Sequence, residues 1–94
     1  MTHFVFLMAG KINGTLYIGL TNNLARRAYG HKHDLIDGFT KRYGVHLLIY
    51  YETFPGIGVA IACEKALKNW KRKWELRLIE ESNPEWRDLY GELH

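Results

Sequence analysis

Two short apolar segments, separated by polar residues and glycine, open the chain. Residues 4–8 form one continuous apolar run, and residues 15–19 form a second run rich in β-favouring side chains. Between them stands Asn13-Gly14, a pair that strongly indicates a tight hairpin turn because both residues tolerate positive φ. The pattern predicts a β-hairpin with strands over residues 3–9 and 15–19.

Helical and strand-like patterns alternate in the next part of the chain. A first helix is predicted over residues 23–33, with Asn22 as its N-cap because an amide oxygen can accept a free backbone N–H. Residues 38–44 begin and end with glycine, which predicts a loop. Val45–Phe54 is β-branched and aromatic, which predicts a strand in the centre of the sheet.

An apolar stripe at helical spacing follows. From a start near Gly58, large apolar side chains recur at steps of four, four, three and four: Val59, Cys63, Leu67, Trp70 and Trp74. A further helix is predicted through residues 76–79, and Asn83-Pro84 predicts the N-cap and first residue of a last short helix. The order ββαβααα is that of one α+β domain over residues 1–94, a small three-stranded antiparallel sheet flanked by helices.

Composition is that of an ordinary globular domain. The 94 residues suffice for one modest core, and an apolar content of 47% argues against disorder. No run approaches the roughly 20 apolar residues of a membrane span, and the N-terminus lacks the features of a signal peptide. Cys63 is the single cysteine, so no internal disulfide can form. We expect a cytoplasmic protein without membrane contact.

The net charge of +3 is unevenly distributed along the chain. Residues 1–77 hold 12 Lys and Arg against 5 Asp and Glu, whereas residues 78–94 hold 1 against 5. A basic body with an acidic C-terminal segment indicates a polyanionic partner that contacts one part of the surface. A solvated surface of mixed charge is the alternative explanation.

Three side chains near the hairpin are suited to phosphate chemistry. Tyr17 lies at the end of the second strand, and Arg27 and His31 lie four residues apart on one face of the first helix. A guanidinium pairs two phosphate oxygens, and an imidazole that titrates near 6.5 suits proton transfer at neutral pH. Each residue taken alone is explained equally well by packing or by surface exposure. Their convergence predicts a phosphodiester site.

Together with Tyr17-Ile18-Gly19 in the second strand of the hairpin, these residues resemble the pattern of a known family. The chain resembles the GIY-YIG nucleases, small metal-dependent DNA-cutting domains, and most of all their short single-domain bacterial members, over residues 3–90. The resemblance implies the fold predicted above. It also implies that Arg27 contacts the scissile phosphate and that Tyr17 and His31 handle protons.

Glu64 is the metal ligand that the resemblance implies, with Mg²⁺ or Mn²⁺ as the ion. It follows Cys63 on the apolar stripe, so its carboxylate is expected to emerge at the edge of the buried face. Magnesium is commonly held by one or two carboxylates together with waters and substrate phosphate. From spacing alone, a surface ion pair with Lys68 at i,i+4 explains Glu64 as well.

The first half of the family motif is altered in this chain. Phe6 stands where the family carries its other tyrosine, and a phenyl ring can neither donate nor accept a proton. Either Tyr17 or His31 takes over that role, or the protein binds nucleic acid without cutting it. Phe6, Gly19 and Asn83 are predicted to line the site, although a cap before Pro84 also explains Asn83.

Basic side chains cluster around Glu64 and in the segment after the first helix. Five of them are predicted to contact DNA phosphates: Lys41, Arg42, Lys68, Lys71 and Arg72. Such contacts bind nucleic acid without reading its sequence. A solvated charged face is again the alternative.

These features predict a divalent-metal-dependent DNA endonuclease that is either structure-selective or recruited by a partner, as in DNA repair or recombination. A catalytically weak or inactive nucleic-acid-binding module is the first alternative, and an interaction protein that works through its acidic segment is the second. The preferred DNA structure, the general base, protein partners and the oligomeric state stay open at this point.

Overall fold

Residues 1–93 are described by a computed structural model. This part of the chain forms three strands, four α-helices and one final turn of 3₁₀ helix. In chain order these are β1 (His3–Ala9), β2 (Leu16–Thr21), α1 (Leu24–Lys32), α2 (Phe39–Tyr43), β3 (Leu47–Phe54), α3 (Ile57–Lys68), α4 (Arg72–Ser82) and the 3₁₀ turn (Leu89–Glu92). The strands form one antiparallel sheet in the order β2-β1-β3. The predicted α+β architecture is confirmed.

β1 occupies the centre of the sheet because it is apolar on both faces. Residues Val5–Ala9 are all fully buried, whereas β3 carries the exposed Glu52 and Thr53 near its end. The prediction that the third strand is central was therefore wrong, since β3 pairs with β1 alone and forms an edge. Burial on both faces, rather than β propensity, decides which strand is central.

Alternate side chains of β1 point to opposite faces of the sheet and take part in two cores. Val5, Leu7 and Ala9 contribute to a first core with residues of β3, α3, α4 and the C-terminal segment: Ile49, Ala60, Leu67, Ile79 and Trp86. Phe6 and Met8 contribute to a second core, on the side of α1: Leu24, Ala28, Val45 and Leu48. Phe6, the altered position of the family motif, thus lies on the α1 side of the sheet.

The predicted hairpin and first helix are confirmed, with one shift at the helix start. Asn13 adopts φ 57°, and the Gly14 N–H donates to the Lys11 carbonyl at 2.9 Å, which closes the turn. The N-cap of α1 is Asn23, whose Oδ1 accepts the Arg26 N–H at 3.2 Å, so the prediction of Asn22 was wrong. β2 runs two residues beyond its predicted end, and this extension delays the helix.

A helix, α2, stands where a loop was predicted over residues 38–44. Gly38 precedes it with φ 118°, and Gly44 ends it with φ 62° and directs its N–H to the Thr40 carbonyl. The same carbonyl accepts the Val45 N–H at 2.9 Å. A single helical turn between two glycines is too short to produce a periodic pattern, so its sequence has the signature of a loop.

The apolar stripe is divided between two helices. α3 ends at Lys68, followed by Asn69 as its C-cap, and α4 begins only at Arg72. Trp70 and Trp74 are 43% and 47% exposed as a result, and Val59 at the start of the stripe is 63% exposed. The prediction of one buried stripe was therefore wrong except at its middle, Cys63 and Leu67. Of the helices formed by residues 1–93, none has the length and apolar character needed to cross a membrane.

The segment after α4 does not form the predicted α-helix. Asn83 caps the C-terminus of α4 instead of starting a new helix, and Trp86 adopts φ 56°, which interrupts helical geometry. Asp88 then anchors the acidic segment, because it pairs with Lys32 of α1 and accepts the Leu48 N–H at 3.2 Å. The acidic segment is therefore part of the folded body.

Candidate active site

The register of the sheet places Phe6 of β1 opposite Gly19 of β2. The Phe6 ring fills the space above Gly19, where a Cβ would lie 2.4 Å from Cζ of Phe6 and 3.0 Å from Cε2 of Tyr17. Tyr17 lies two residues before Gly19, so its side chain leaves the same face of the strand. The Phe6 and Tyr17 ring centroids are 6.2 Å apart. Gly19 is thus required sterically, because its missing side chain leaves room for both rings.

His31 joins these rings from α1. Its ring centroid lies 5.0 Å from that of Tyr17 and 6.0 Å from that of Phe6. His31 is only 2% exposed, and its Nδ1 makes a 2.7 Å hydrogen bond with the Thr40 hydroxyl. We call Phe6, Tyr17 and His31 the ring cluster. It unites two predicted catalytic residues and the altered motif position.

Arg27 lies one turn before His31 on α1 and is exposed at the surface. Burial lowers the pKa of His31 below its ordinary value of 6.5, and the positive charge of Arg27 lowers this pKa further. Arg27 also lines a surface depression with Asn22 and with Ile57, the first residue of α3. A neutral imidazole able to accept a proton is thus close to a guanidinium able to bind an anion.

An open cavity of about 340 Å³ lies beside Tyr17. Phe39 of α2 forms one wall and stacks on the Tyr17 ring with a centroid distance of 6.3 Å. Lys68 of α3 and Glu75 of α4 also line the cavity. Burial raises the pKa of Glu75, and nearby Arg72 opposes this rise. The cavity gives a ligand access to the phenol of Tyr17.

Glu64 reaches this region through an ion pair. Its carboxylate lies 3.4 Å from the Lys68 ammonium, and its side chain is 21% exposed, against 54% for Lys68. The surface pair expected as the alternative explanation is therefore formed, and it connects Glu64 to the cavity beside Tyr17. Within residues 1–93, no three His, Cys, Asp or Glu side chains are grouped as metal ligands. A partly desolvated single carboxylate fits Mg²⁺ when waters and substrate phosphate supply the other ligands.

Comparison with known proteins identifies the family of this fold and site. The sequence model of the GIY-YIG catalytic domain matches residues 2–85. The chain belongs to the GIY-YIG family. Relatives of this GIY-YIG chain include the UPF0213 protein SH2523 of Staphylococcus haemolyticus, which is 32% identical over 79 residues, or 84% of this chain and 95% of that protein. The UPF0213 protein CPE1444 of Clostridium perfringens is 31% identical over 77 residues, or 82% of either chain.

A solved structure has the same fold. The solution NMR structure of the UPF0213 protein BH0048 from Bacillus halodurans aligns with a TM-score of 0.59 and 23% identity, over 94% of this chain and 93% of that one. The predicted resemblance to short, single-domain GIY-YIG members is confirmed. GIY-YIG domains are generally nucleases, which gives the class of activity to which this chain is related.

The basic residues of this GIY-YIG domain differ in their surroundings. Lys41 lies 3.3 Å from the Asp37 carboxylate, and Arg42 lies over the Tyr43 ring. Arg72 is engaged within the fold, because its guanidinium donates to two carbonyls of the hairpin turn at 2.7 and 2.9 Å. Lys71 is exposed between α3 and α4. Because α3 ends at Lys68 and α4 begins at Arg72, the basic side chains predicted around Glu64 do not share one helix face.

Asn83 is held by the scaffold. Its amide donates to the carbonyls of Ile49 and Arg87 at 3.1 and 2.8 Å, and its Oδ1 accepts the Arg87 N–H at 2.9 Å. Each of these bonds joins α4 to β3 or to the C-terminal segment. Among residues 1–93, no hydrogen bond connects Asn83 to the ring cluster.

Three residues at the site were missed by reasoning from sequence: Phe39, Thr40 and Glu75. The first two belong to α2, the helix that the sequence pattern did not reveal, and Glu75 reaches the cavity from α4. No sequence signal marked Thr40, because its burial and the short helix that holds it depend on packing between distant elements.

Proposed function

We propose that this GIY-YIG protein is a divalent-metal-dependent endonuclease that hydrolyses phosphodiester bonds in DNA. The contact between Tyr17 and His31, with ring centroids 5.0 Å apart, carries the proposal. A phenol and an imidazole lie together next to the guanidinium of Arg27. Proton transfer and phosphate binding, two of the requirements of phosphodiester hydrolysis, are thereby available in one region.

Arg27 binds the scissile phosphate in this proposal. Its guanidinium stays charged at every pH relevant to the reaction, and its planar fork matches two phosphoryl oxygens. The same positive charge disfavours the imidazolium form of His31. Arg27 therefore stabilises charge on the phosphate and keeps His31 able to accept a proton at neutral pH.

Tyr17 and His31 transfer the proton released by the attacking water. The water oxygen forms a bond to phosphorus while the bond from phosphorus to the leaving oxygen breaks, and the leaving oxygen takes up a proton from the solvent. His31 is buried, whereas Tyr17 is partly exposed and lines the cavity, so Tyr17 is the group that contacts the water. The phenol of a free tyrosine titrates near pH 10, so a base role at neutral pH requires a proton acceptor beside it. His31 is that acceptor.

Glu64 is the residue that we assign to the metal, Mg²⁺ or Mn²⁺. Its partly exposed carboxylate is accessible, and its ion pair with Lys68 is weak enough to be exchanged, because such i,i+4 pairs contribute about 0.3–0.5 kcal/mol. A bound ion would neutralise the phosphoryl oxygens and polarise the phosphorus. Lys68, released from Glu64, is then free to contact a DNA phosphate.

Phe6 favours a second candidate function, a DNA-binding module without turnover. Its ring is fully buried and carries no hydroxyl at the position where the family has a tyrosine. The exposed basic side chains Lys41, Arg42 and Lys71 would still bind the DNA backbone. This second candidate function has the same partner, DNA, as the proposed endonuclease but does not include cleavage.

A cleavage assay distinguishes the two functions. Supercoiled plasmid and branched DNA are incubated with Mg²⁺, Mn²⁺, Ca²⁺ or chelator, with Arg27→Met as the matched inactive variant. We expect nicking with Mg²⁺ and Mn²⁺ but none with chelator or with the variant. A preference for branched DNA would fit a role in repair or recombination. DNA binding without cleavage supports the second candidate, and the absence of both contradicts the two proposals together.

A further inference from the structure

We propose that Thr40 is a positioning residue that holds the His31 imidazole in the tautomer with its proton on Nδ1. The inference rests on the proposed function, in which His31 accepts a proton through its other nitrogen. It assigns a role to α2, a helix outside both halves of the family motif.

The contact between Thr40 and His31 is short and buried. Each residue is 2% exposed, and the Thr40 Oγ1 lies 2.7 Å from Nδ1 of His31. On the other side of the ring, Nε2 is buried and has no hydrogen-bond partner within residues 1–93. The Thr40 hydroxyl is therefore the polar contact that orients this imidazole.

The proposed role of Nε2 decides between the two tautomers. In a neutral imidazole one nitrogen donates and the other accepts, and the partner of one nitrogen fixes the state of the other. Either tautomer leaves one buried donor unpaired among the described residues, Nε2–H in one and the Thr40 O–H in the other, so the requirement that Nε2 accept a proton in the proposed reaction selects the tautomer. A proton on Nδ1 is satisfied by the Thr40 oxygen. The lone pair then remains on Nε2, where a proton acceptor needs it.

The backbone around α2 keeps the Thr40 hydroxyl in place. The Thr40 carbonyl accepts the N–H groups of Gly44 and Val45, which closes the helix at its C-terminal end. The preceding residue, Phe39, stacks on Tyr17. Two adjacent residues of one helix therefore contact two rings of the proposed site, so a displacement of α2 would disturb both.

Two other polar groups face His31 and are not themselves changed by a substitution of Thr40. Arg27 faces it from the same helix and disfavours its charged form, and Tyr17 faces it from β2. A change in the His31 tautomer after substitution of Thr40 is therefore attributable to the hydroxyl itself.

The test compares three variants by NMR and by kinetics. Thr40→Val removes the hydroxyl while keeping the shape, Thr40→Ser keeps the hydroxyl, and Thr53→Val is a control at an exposed threonine of β3. Long-range ¹H–¹⁵N spectra at alkaline pH report which nitrogen of His31 is protonated. Cleavage of DNA with Mg²⁺ gives kcat and KM over a range of pH.

We expect the wild type, Thr40→Ser and Thr53→Val to show His31 protonated at Nδ1. Thr40→Val should lose this preference, and its kcat should fall about 10- to 100-fold with little change in KM, part of the roughly 10²–10⁴-fold due to acid–base catalysis. Its loss should not add to that of His31→Asn in the double variant, because both changes affect one step.

Several results would overturn the inference. A wild-type His31 protonated at Nε2 contradicts it directly, as does a Thr40→Val protein that changes tautomer but keeps its kcat. If Thr40→Val fails to fold, the wild-type and Thr40→Ser spectra still decide the tautomer. A wild type that cuts no DNA refutes the proposed function, whereas the NMR result still judges the contact between Thr40 and His31.

Discussion

Phe6 lies directly over Gly19 of the neighbouring strand, and a Cβ at residue 19 would approach Cζ of Phe6 to 2.4 Å. This contact joins the two halves of the family motif through the antiparallel pairing of β1 and β2. It also brings the Phe6 ring against Tyr17. The glycine of the motif is therefore explained by its steric contact with the Phe6 ring on the neighbouring strand.

Substitution of Gly19 should damage both stability and the site. Gly19→Ala forces Phe6 or the β2 backbone to move, and overpacking of this kind typically costs about 1–3 kcal/mol of unfolding free energy. Urea unfolding measures this loss, and DNA cleavage should fall with it because the Tyr17 ring is displaced. Gly58→Ala is the matched control, since within residues 1–93 no atom apart from its chain neighbours and its own helix backbone lies within 4 Å of the added Cβ. Equal effects of the two changes would contradict the steric role of Gly19.

The altered motif position gives opposite outcomes for the two proposed functions. If the protein is an enzyme in which Tyr17 serves proton transfer, Tyr17→Phe should reduce kcat by about 10²–10⁴-fold, and Phe6→Tyr should raise it only slightly. If it is a binding module, Phe6→Tyr should create cleavage and Tyr17→Phe should change nothing. We expect the first outcome. Because an unpaired buried hydroxyl costs about 1–3 kcal/mol, unfolding of Phe6→Tyr is measured beside its activity.

Features set by neighbouring residues could be predicted from the sequence. The turn at Asn13-Gly14 and the i,i+4 relation of Arg27 and His31 depend on local geometry, and the structure has both. The meeting of Tyr17 and His31 followed from placing a strand end beside the next helix. Family resemblance added Glu64 as the metal ligand, whereas spacing alone favoured a surface ion pair with Lys68.

Features that depend on packing between distant elements could not be predicted. α2 is one turn long, so neither its existence nor the bond from Thr40 to His31 has a periodic signature. The apolar pattern ran across the break between α3 and α4, because Trp70 and Trp74 fall at helical spacing by coincidence. The sequence therefore predicted one continuous stripe. Asn83 precedes a proline, which predicted an N-cap, yet its amide donates hydrogen bonds to carbonyls of β3 and the C-terminal segment.

The proposed role of Glu64 as a metal ligand can be tested separately from its ion pair with Lys68. Glu64→Gln should abolish cleavage while reducing unfolding free energy by no more than the roughly 0.3–0.5 kcal/mol of an i,i+4 pair. Glu81→Gln is the matched control, because Glu81 forms the same kind of pair with Arg77 on α4 at 3.5 Å. Calcium should support DNA binding without turnover, since it lacks the strict octahedral geometry of magnesium. A cleaving Glu64→Gln protein would show that the carboxylate serves the ion pair alone.

Substitution of Arg72 should affect mainly folding stability, whereas substitution of Lys71 should affect mainly DNA binding. Arg72→Met removes donors from the hairpin carbonyls of Asn13 and Gly14 and should cost about 1–3 kcal/mol of stability. Lys71→Met should leave stability within about 0.5 kcal/mol. It should reduce the magnitude of the log–log salt slope of DNA binding by about 0.9, the value for one phosphate contact. Titrations of duplex DNA at several salt concentrations measure this slope, and an unchanged slope would remove Lys71 from the interface.

The buried imidazole of His31 should make stability depend on pH. Burial, assisted by Arg27, lowers its pKa in the folded state below the 6.5 of the unfolded chain. The unfolded state therefore binds more protons between these two pKa values, so the contribution of His31 is fully present above 6.5 and is lost as pH falls toward the folded pKa. The slope for one proton is at most about 1.4 kcal/mol per pH unit. Urea unfolding at a series of pH values measures this slope.

Two variants test whether His31 causes the pH dependence. His31→Asn should lose this slope, whereas His33→Asn, at an exposed histidine two residues away, should retain it. The same slope in all three proteins would show that other groups cause the acid sensitivity and that His31 titrates alike in both states.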